Sequence, residues 1–248
     1  MLNQSRCIRF NYRNRPIPSI GGIVYVPVML TASAFAVITN MPGNMELIYI
    51  VFIISSMGII GLLDDLTGNK QIKGIKNHIR SFLKGRLTTG FIKAFTGGLL
   101  ALIISFSMPL TLMEAFIGFF IVLLFTNTMN LFDLRPGRSS KIFIVSASVL
   151  ITVGIDKLQI ITPLVLMLTA AAVYFFYDIK EKCMLGDVGS NIYGITLGYY
   201  SALLLDTYWK LILLSVLMFL NLLSEKKSLT EIIQRNRILS FLDNLGRG

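Results

Sequence analysis

The stretch IVFIISSMGIIGLLDDLTGNK, residues 50–70, decides the fold, because a long apolar run ends there in two adjacent aspartates. A transmembrane helix needs about 20 consecutive, mostly apolar residues. Ionisable residues at membrane depth are rare and are usually functional where they occur. Asp64 and Asp65 therefore predict the edge of a membrane-spanning helix and a polar site at that edge.

The composition of the whole chain agrees with a membrane protein. Of its 248 residues, 54% are hydrophobic and only 15% are charged, whereas soluble domains carry about 25% charged residues. The apolar runs predict an all-α fold, a polytopic membrane bundle of about eight transmembrane helices that forms one integral membrane domain over residues 1–248. The predicted spans are residues 22–39, 46–63, 91–108, 110–127, 141–155, 159–177, 189–206 and 208–224.

The distribution of positive charge predicts the orientation of this bundle. Of the 23 Lys and Arg residues, 21 fall in five segments on one side: 1–21, 64–93, 128–141, 178–188 and 225–248. Only Lys157 and Lys210 lie on the other side. Because cytoplasmic loops are enriched in Lys and Arg, both termini are predicted to be cytoplasmic. The net charge of +10 then follows from topology and requires no nucleic-acid partner.

Residues 1–21 are predicted to be a cytoplasmic N-terminal segment, and residues 225–248 a cytoplasmic amphipathic tail. In the tail, Ser228 is followed three residues later by Glu231, which is a capping-box pattern. Leucines and isoleucines recur at helical spacing after it. We expect a helix that packs on the membrane surface or on the bundle.

The paired aspartates are the first candidate site. Adjacent residues on a helix point about 100° apart, so Asp64 and Asp65 are expected to have different tasks. Two close carboxylates repel each other, which favours a divalent cation between them. The alternative is a charged stop at the membrane edge.

A second candidate site lies at the end of the fourth span. Asn127, Asn130 and Asp133 have a spacing of three residues, which places them close to one face of a helix. Asparagine amides are suited to hydrogen-bond a nucleobase or a sugar. The alternative is hydrogen bonding between helices, which is common for Asn in membranes.

The stretch MLGDVGSNIYG, residues 184–194, is a third candidate, just before the seventh span. Its glycines allow a ligand to approach the backbone closely, and a helix N-terminus attracts phosphate. Asp187 is therefore a candidate magnesium ligand. The alternative is a helix N-cap with glycine in the preceding turn.

The stretch KGRLTTGFIKA, residues 84–94, is the fourth candidate. Lys84, Arg86 and Lys93 flank a Thr–Thr–Gly turn, and basic groups beside hydroxyls suit a diphosphate or a lipid phosphate. The alternative is the general excess of positive charge on this side. All four candidates lie on one predicted membrane face, which favours magnesium-assisted phosphoryl transfer at the membrane surface.

Taken in order, these motifs resemble the polyprenyl-phosphate N-acetylhexosamine-1-phosphate transferase family, of the glycosyltransferase family 4 type. The matching stretches are NYRNRPIPSIGG at 11–22, GLLDD at 61–65, KGRLTTGFIK at 84–93, NTMNLFD at 127–133 and LGDVGS at 185–190. The resemblance covers essentially the whole chain. Only ten residues precede Asn11, so the family's first transmembrane helix has no counterpart here, which indicates either a misplaced start or a branch shortened at the N-terminus.

The resemblance implies transfer of a sugar-1-phosphate from a UDP-sugar to undecaprenyl phosphate, with release of UMP. The sugar is expected to be an N-acetylhexosamine, and the product to serve bacterial cell-envelope polysaccharide or peptidoglycan synthesis. The expected cofactor is Mg²⁺, with Mn²⁺ as the alternative ion. The enzyme is expected to be a multi-pass protein of the bacterial plasma membrane, surrounded by membrane lipid, with a cytoplasmic active face. A homodimer is compatible with the resemblance.

The same resemblance implies roles for individual residues. Asp64, Asp65 and Asp187 are the expected catalytic residues, and Asp64 and Asp187 the expected metal ligands. The residues expected to bind substrate are Asn127, Asn130, Asp133, Lys84 and Lys93. Many relatives carry a further Asp where this chain has Pro136, so we expect Arg135 and Arg138 to contact substrate phosphates there.

Two other functions fit the same residues. One is a family member that binds lipid phosphate or an envelope partner without turnover, because the last large cytoplasmic loop lacks the histidines that relatives often have. The other is a small transporter whose polar residues line a path. Magnesium-dependent exchange of UMP with UDP-sugar would distinguish the transferase from both, and substrate accumulation in vesicles would identify the transporter.

Overall fold

The computed structural model describes residues 7–10, 13–67, 81, 85 and 88–247. Within these ranges the chain is almost entirely helical, which confirms the all-α prediction. The helices are α1 (Tyr25–Ile38), α2 (Asn44–Thr67), α3 (Thr89–Ser107), α4 (Leu112–Phe132), α5 (Arg138–Val153), α6 (Leu158–Ile179), α7 (Gly186–Leu204), α8 (Thr207–Lys226), α9 (Leu229–Arg235) and α10 (Arg237–Asn244).

The first eight helices lie at the eight predicted spans. Six helices of the described chain are long and apolar enough to cross a membrane, and α5 and α7 are not among them. Helix α5 has only 16 residues, and α7 is rich in Gly, Ser, Asn, Thr and Tyr. The count of eight spans therefore stays a prediction.

Helix α7 occupies the centre of the bundle. Every residue from Val188 to Ala202 is buried, and the helix packs chiefly against α4 and α2. Small residues allow membrane helices to approach closely, and hydroxyl and amide side chains can hydrogen-bond across their interfaces. Because α7 is enclosed by its neighbours, it needs no apolar face toward lipid.

The outer surface of the bundle is apolar. Large exposed side chains project from most of the long helices, including Phe35, Phe52, Phe95, Phe116 and Phe219. Extensive apolar surface of this kind marks a face that meets a membrane or a partner. The helix lengths and this surface together support a bundle that is embedded in a bilayer.

A short β-hairpin precedes α1 and departs from the purely helical prediction. Strand β1 (Ile8–Phe10) pairs antiparallel with β2 (Pro16–Pro18). The hairpin is fixed to the segment before α7, since Met184 N–H donates to Pro18 O at 2.7 Å and Gly21 N–H donates to Met184 O at 2.9 Å. Each strand has only three residues, which is too short for an alternating pattern to predict.

The tail forms two short helices where the sequence predicts one. The break falls at Asn236, whose side chain accepts hydrogen bonds from two backbone N–H groups of the next turn and so begins α10. Asparagine is a favoured N-cap residue, which explains the new start. Ser228 stands at the N-cap of α9, but its side chain makes no capping hydrogen bond. The predicted capping box was therefore wrong.

Candidate functional site

Three helices bring their ends together at one charged cluster. Asp64 lies in the last turn of α2, Lys93 near the start of α3 and Asp187 at the start of α7. The Nζ atom of Lys93 is 3.1 Å from Asp187 Oδ2 and 3.7 Å from Asp64 Oδ2. The two carboxyl groups therefore share one lysine. The structure thus joins three residues from three separate motifs.

Close backbone packing explains why the cluster forms at this point. A Cβ atom on Gly61 would lie 2.5 Å from Asp187 O and 2.7 Å from Val188 Cα, so glycine is needed where α2 crosses the start of α7. Gly186 has a φ of +73°, a left-handed conformation that glycine adopts without steric cost. This turn lets the chain enter α7 with Asp187 beside Lys93.

Asp65 lies apart from Asp64, as expected for adjacent residues on a helix. Its side chain is wholly buried, and its Oδ1 is 3.2 Å from the Nη1 of Arg9. The N–H of Val188 donates to its Oδ2 at 3.2 Å, and Arg9 Nη2 donates to its backbone oxygen at 2.8 Å. Asp65 therefore connects the hairpin, α2 and α7. This arrangement favours an anchoring role over the predicted direct part in catalysis.

Asn130 and Asp133 approach the cluster from the end of α4. Asn130 Nδ2 donates to Asn191 Oδ1 at 2.8 Å, and the Ser190 hydroxyl donates to Asn130 Oδ1. The carboxyl group of Asp133 lies in the same cavity wall as Gly186 and Asp187. Burial raises the pKa of Asp133 well above its ordinary value, and the nearby carboxylates raise it further.

A cavity of 560 Å³ connects the hairpin with these residues. Its walls include Arg9 and Phe10 from the hairpin, Asn130, Asp133 and Leu134 from the end of α4, and Asp187. Small-molecule sites usually have volumes of about 300–1,000 Å³. The cavity therefore has the size of a ligand site, and charged, amide and apolar side chains all contribute to its walls.

Two of the predicted substrate-binding residues lie elsewhere or outside the described chain. The Nδ2 atom of Asn127 donates to Asn221 Oδ1 of α8 at 2.5 Å. Hydrogen bonding between helices was the alternative to substrate binding for this motif. The contact therefore favours a structural role for Asn127 over the predicted contact with substrate. Lys84 falls outside the described residues, so its predicted contact with phosphate stays a prediction.

The two arginines after Asp133 point toward the tail. The Nε and Nη2 atoms of Arg138 each donate to the carboxylate of Asp243 at 2.8 Å, in a pair buried from solvent. Arg135 lies against Gln234 of α9. Because the tail engages both side chains, the geometry favours structural roles for them in place of the predicted phosphate contacts.

The tail also holds the loop that follows Asp133. Arg247 donates from Nε to the backbone oxygen of Pro136 at 2.8 Å and pairs with Asp243 at 2.9 Å. Burial raises the pKa of Asp243, but hydrogen bonds and positive charge from Arg138 and Arg247 outweigh this effect and hold that pKa well below its ordinary value. An ionised Asp243 therefore connects two buried guanidinium groups.

Sequence reasoning missed Arg9, Asp178 and Asp243 as contributors to this region. Asp178 accepts from the Ser140 hydroxyl at 2.6 Å and from the backbone N–H of Gly137, which fixes the start of α5. Asp243 stands in a segment with an excess of Lys and Arg, and Asp178 directly follows the predicted span 159–177; both positions were available signals. Arg9 gave no such signal, because it is one of several basic residues before α1.

The donor set at the cluster suits Mg²⁺ completed by a substrate. Among the residues the structure describes, no three or more His, Cys, Asp or Glu side chains gather as a metal site. Proteins usually bind Mg²⁺ through one or two carboxylates, with waters and substrate phosphates as the other ligands. Asp64 and Asp187 form such a pair, and Lys93 already brings one positive charge to both.

The fold and the site define a multi-pass helical membrane protein with acidic and basic side chains gathered at three helix ends. The chain belongs to glycosyl transferase family 4, whose family model matches residues 47–205. The matched residues include Asp64, Lys93, Asn130, Asp133 and Asp187. The family resemblance predicted from the motifs is thereby confirmed.

Curated relatives are similar over most of this chain. It is 28% identical over 213 residues to the phospho-N-acetylmuramoyl-pentapeptide-transferase of Streptococcus pyogenes serotype M49, which is 80% of this chain and 62% of that protein. It is 32% identical over 199 residues to the protein of the same name from Streptococcus agalactiae serotype Ia, which is 74% of this chain and 58% of that protein. The chain thus spans about three fifths of the length of these relatives.

Proposed function

We propose that this chain transfers an N-acetylhexosamine-1-phosphate from a UDP-sugar to undecaprenyl phosphate and releases UMP. The product would serve bacterial cell-envelope polysaccharide or peptidoglycan synthesis. The observation that carries the proposal is the convergence of Asp64, Lys93 and Asp187 next to a 560 Å³ cavity. Membership of the family supports the reaction class, and the excess of Lys and Arg supports a cytoplasmic active face in the plasma membrane.

The proposed reaction makes one phosphoanhydride bond and breaks another. An oxygen of the lipid phosphate attacks the β-phosphorus of the UDP-sugar, and the bond from that phosphorus to the oxygen of UMP breaks. Asp64 would accept a proton from the lipid phosphate. Lys93 supplies fixed positive charge beside the reacting phosphates.

The remaining walls of the cavity would bind and orient the donor. Asn130 and Asp133 present an amide and a carboxyl group from the end of α4, which suit the hydroxyl and imide groups of a nucleoside. Asp64 and Asp187 would hold Mg²⁺, which neutralises diphosphate charge when it is bound, and Mn²⁺ is the alternative ion. Asp65 would contribute indirectly, by holding the hairpin and α7 in position around the cavity.

The location of the charged cluster favours this proposal over a transport function. Substrate sites of secondary transporters usually lie near the middle of the bilayer. Here Asp64 lies in the last turn of α2, and Lys93 and Asp187 lie near the starts of α3 and α7. Charges at the ends of helices support chemistry at the membrane surface.

UMP release by the purified full chain tests the proposal. The assay contains undecaprenyl phosphate, Mg²⁺ and a panel of UDP-sugars. We expect release with one sugar, abolished by EDTA and by Asp187→Asn. The control Asp156→Asn removes an exposed carboxylate between α5 and α6 and should leave release unchanged. Folded protein that releases no UMP with any sugar would refute the proposal and favour a family member that binds lipid phosphate without turnover.

A further inference from the structure

The N-terminal hairpin places an aromatic ring in the wall of the cavity. Phe10 lines the same cavity as Asn130, Asp133 and Asp187, and 71% of its surface is exposed. It is the only aromatic side chain among the described residues that line this cavity. Single exposed apolar side chains are common on proteins. This ring differs from them because it borders a pocket that also contains the charged and amide groups of Arg9, Asn130 and Asp187.

The hairpin that carries Phe10 is held firmly on the site. An isolated two-stranded hairpin is at best marginally stable in water, so its position depends on outside contacts. The neighbouring Arg9 supplies two of them through Asp65. Ser19 donates to Cys7 O from its backbone N–H at 2.8 Å and from its hydroxyl at 3.0 Å, which closes the base of the hairpin. These contacts therefore hold the backbone at Phe10 beside the cavity before any ligand arrives.

We propose that Phe10 is the stacking platform for the nucleobase of the donor, so that the hairpin contributes to nucleotide binding. This inference rests on the function proposed above. The negative diphosphate of the donor matches the positive charges of Lys93, beside Asp187, and of Arg9 in the cavity wall. The nucleobase is the flat part of the donor, and every base has a π-face that stacks on aromatic side chains. Leu134, which is 58% exposed, supplies further apolar surface in the same cavity, as do Ile8 and Met184.

Two substitutions separate stacking from simple apolar contact. Phe10→Leu keeps an apolar side chain, which suffices for contact with lipid or with protein, but removes the π-face. Phe10→Trp keeps the π-face. The control Phe35→Leu makes the same change at an exposed position of α1, where 63% of the phenylalanine surface is accessible. Each full-length variant is purified, and its KM and kcat for the active UDP-sugar and its Kd for UMP are measured.

We expect Phe10→Leu to raise both the KM for the UDP-sugar and the Kd for UMP about tenfold, with kcat little changed. Phe10→Trp should restore both values, and Phe35→Leu should leave them unchanged. Since UMP has no hexose, an effect on KM without an effect on UMP binding would assign the contact to the sugar and overturn the inference. An active wild type with an unaffected Phe10→Leu would overturn the inference alone. A wild type that neither releases nor binds UMP would overturn the proposed function as well.

Discussion

Asp243→Asn should weaken the attachment of the tail, because this carboxylate pairs with two buried guanidinium groups. Arg138 donates to it twice at 2.8 Å, and Arg247 pairs with it at 2.9 Å. The exposed fraction of all three side chains is 4–5% in these pairs. The substitution keeps the shape of Asp243 but leaves two buried cations without their anion. Removing one partner of a buried ion pair costs about 3–5 kcal/mol, and we expect a loss of that size.

Two measurements check this expectation. Unfolding in mixed micelles of increasing SDS content gives the change in the free energy of unfolding. Limited trypsin digestion at Lys226 and Lys227, just before α9, reports release of the tail. The matched control Glu231→Gln removes an exposed carboxylate from the same tail and should change neither result. If Asp243→Asn matched the control in both assays, the ion pairs would contribute nothing net, and apolar contacts alone would hold the tail.

Three further predictions concern the packing, the charge and the pH dependence of this region. Gly61→Ala should lower the midpoint of thermal unfolding, because its Cβ would lie 2.5 Å from Asp187 O, while Gly98→Ala, whose Cβ meets no atom within 4 Å, should not. Lys93→Gln should lower kcat for UMP release about 100-fold while UMP still binds, and an unchanged kcat would exclude Lys93 from the reaction. The pKa of Asp243 in the folded protein lies below its ordinary value of 3.8. The contribution of Asp243 to the free energy of unfolding should therefore be constant from neutral pH down to about pH 3.8 and should decline at lower pH. The anisotropy of a dye on the C-terminus should fall over the same acidic range, and a fall near neutral pH would contradict the assignment.

The helices and the charged cluster could be predicted because both depend on local sequence. Apolar runs located the eight long helices, and their ends differ from the predicted ones by a few residues. Asp64, Lys93 and Asp187 each stand where an apolar run begins or ends, and charges at such boundaries are easily recognised. Their meeting needed only that the three helix ends lie on the same side.

The contacts that could not be predicted join residues far apart in the chain. Arg9 and Asp65 are separated by 56 positions, and Arg138 and Asp243 by 105. An arginine that will bind phosphate and one that will be buried against an aspartate look the same in a single sequence. For this reason the sequence predicts a substrate contact for Arg138, and it groups Asp65 with Asp64 although their surroundings differ.

The burial of α7 has a consequence for how the protein is made. This helix carries Asp187, yet it is not among the six that are long and apolar enough to cross a membrane. Its buried Ser190, Asn191 and Thr196 would meet hydrocarbon if it entered the bilayer alone. During biosynthesis α7 should therefore insert together with α2 and α4, which enclose it. A chain interrupted before this step would lack a site, so activity would arise only as the membrane domain completes its assembly.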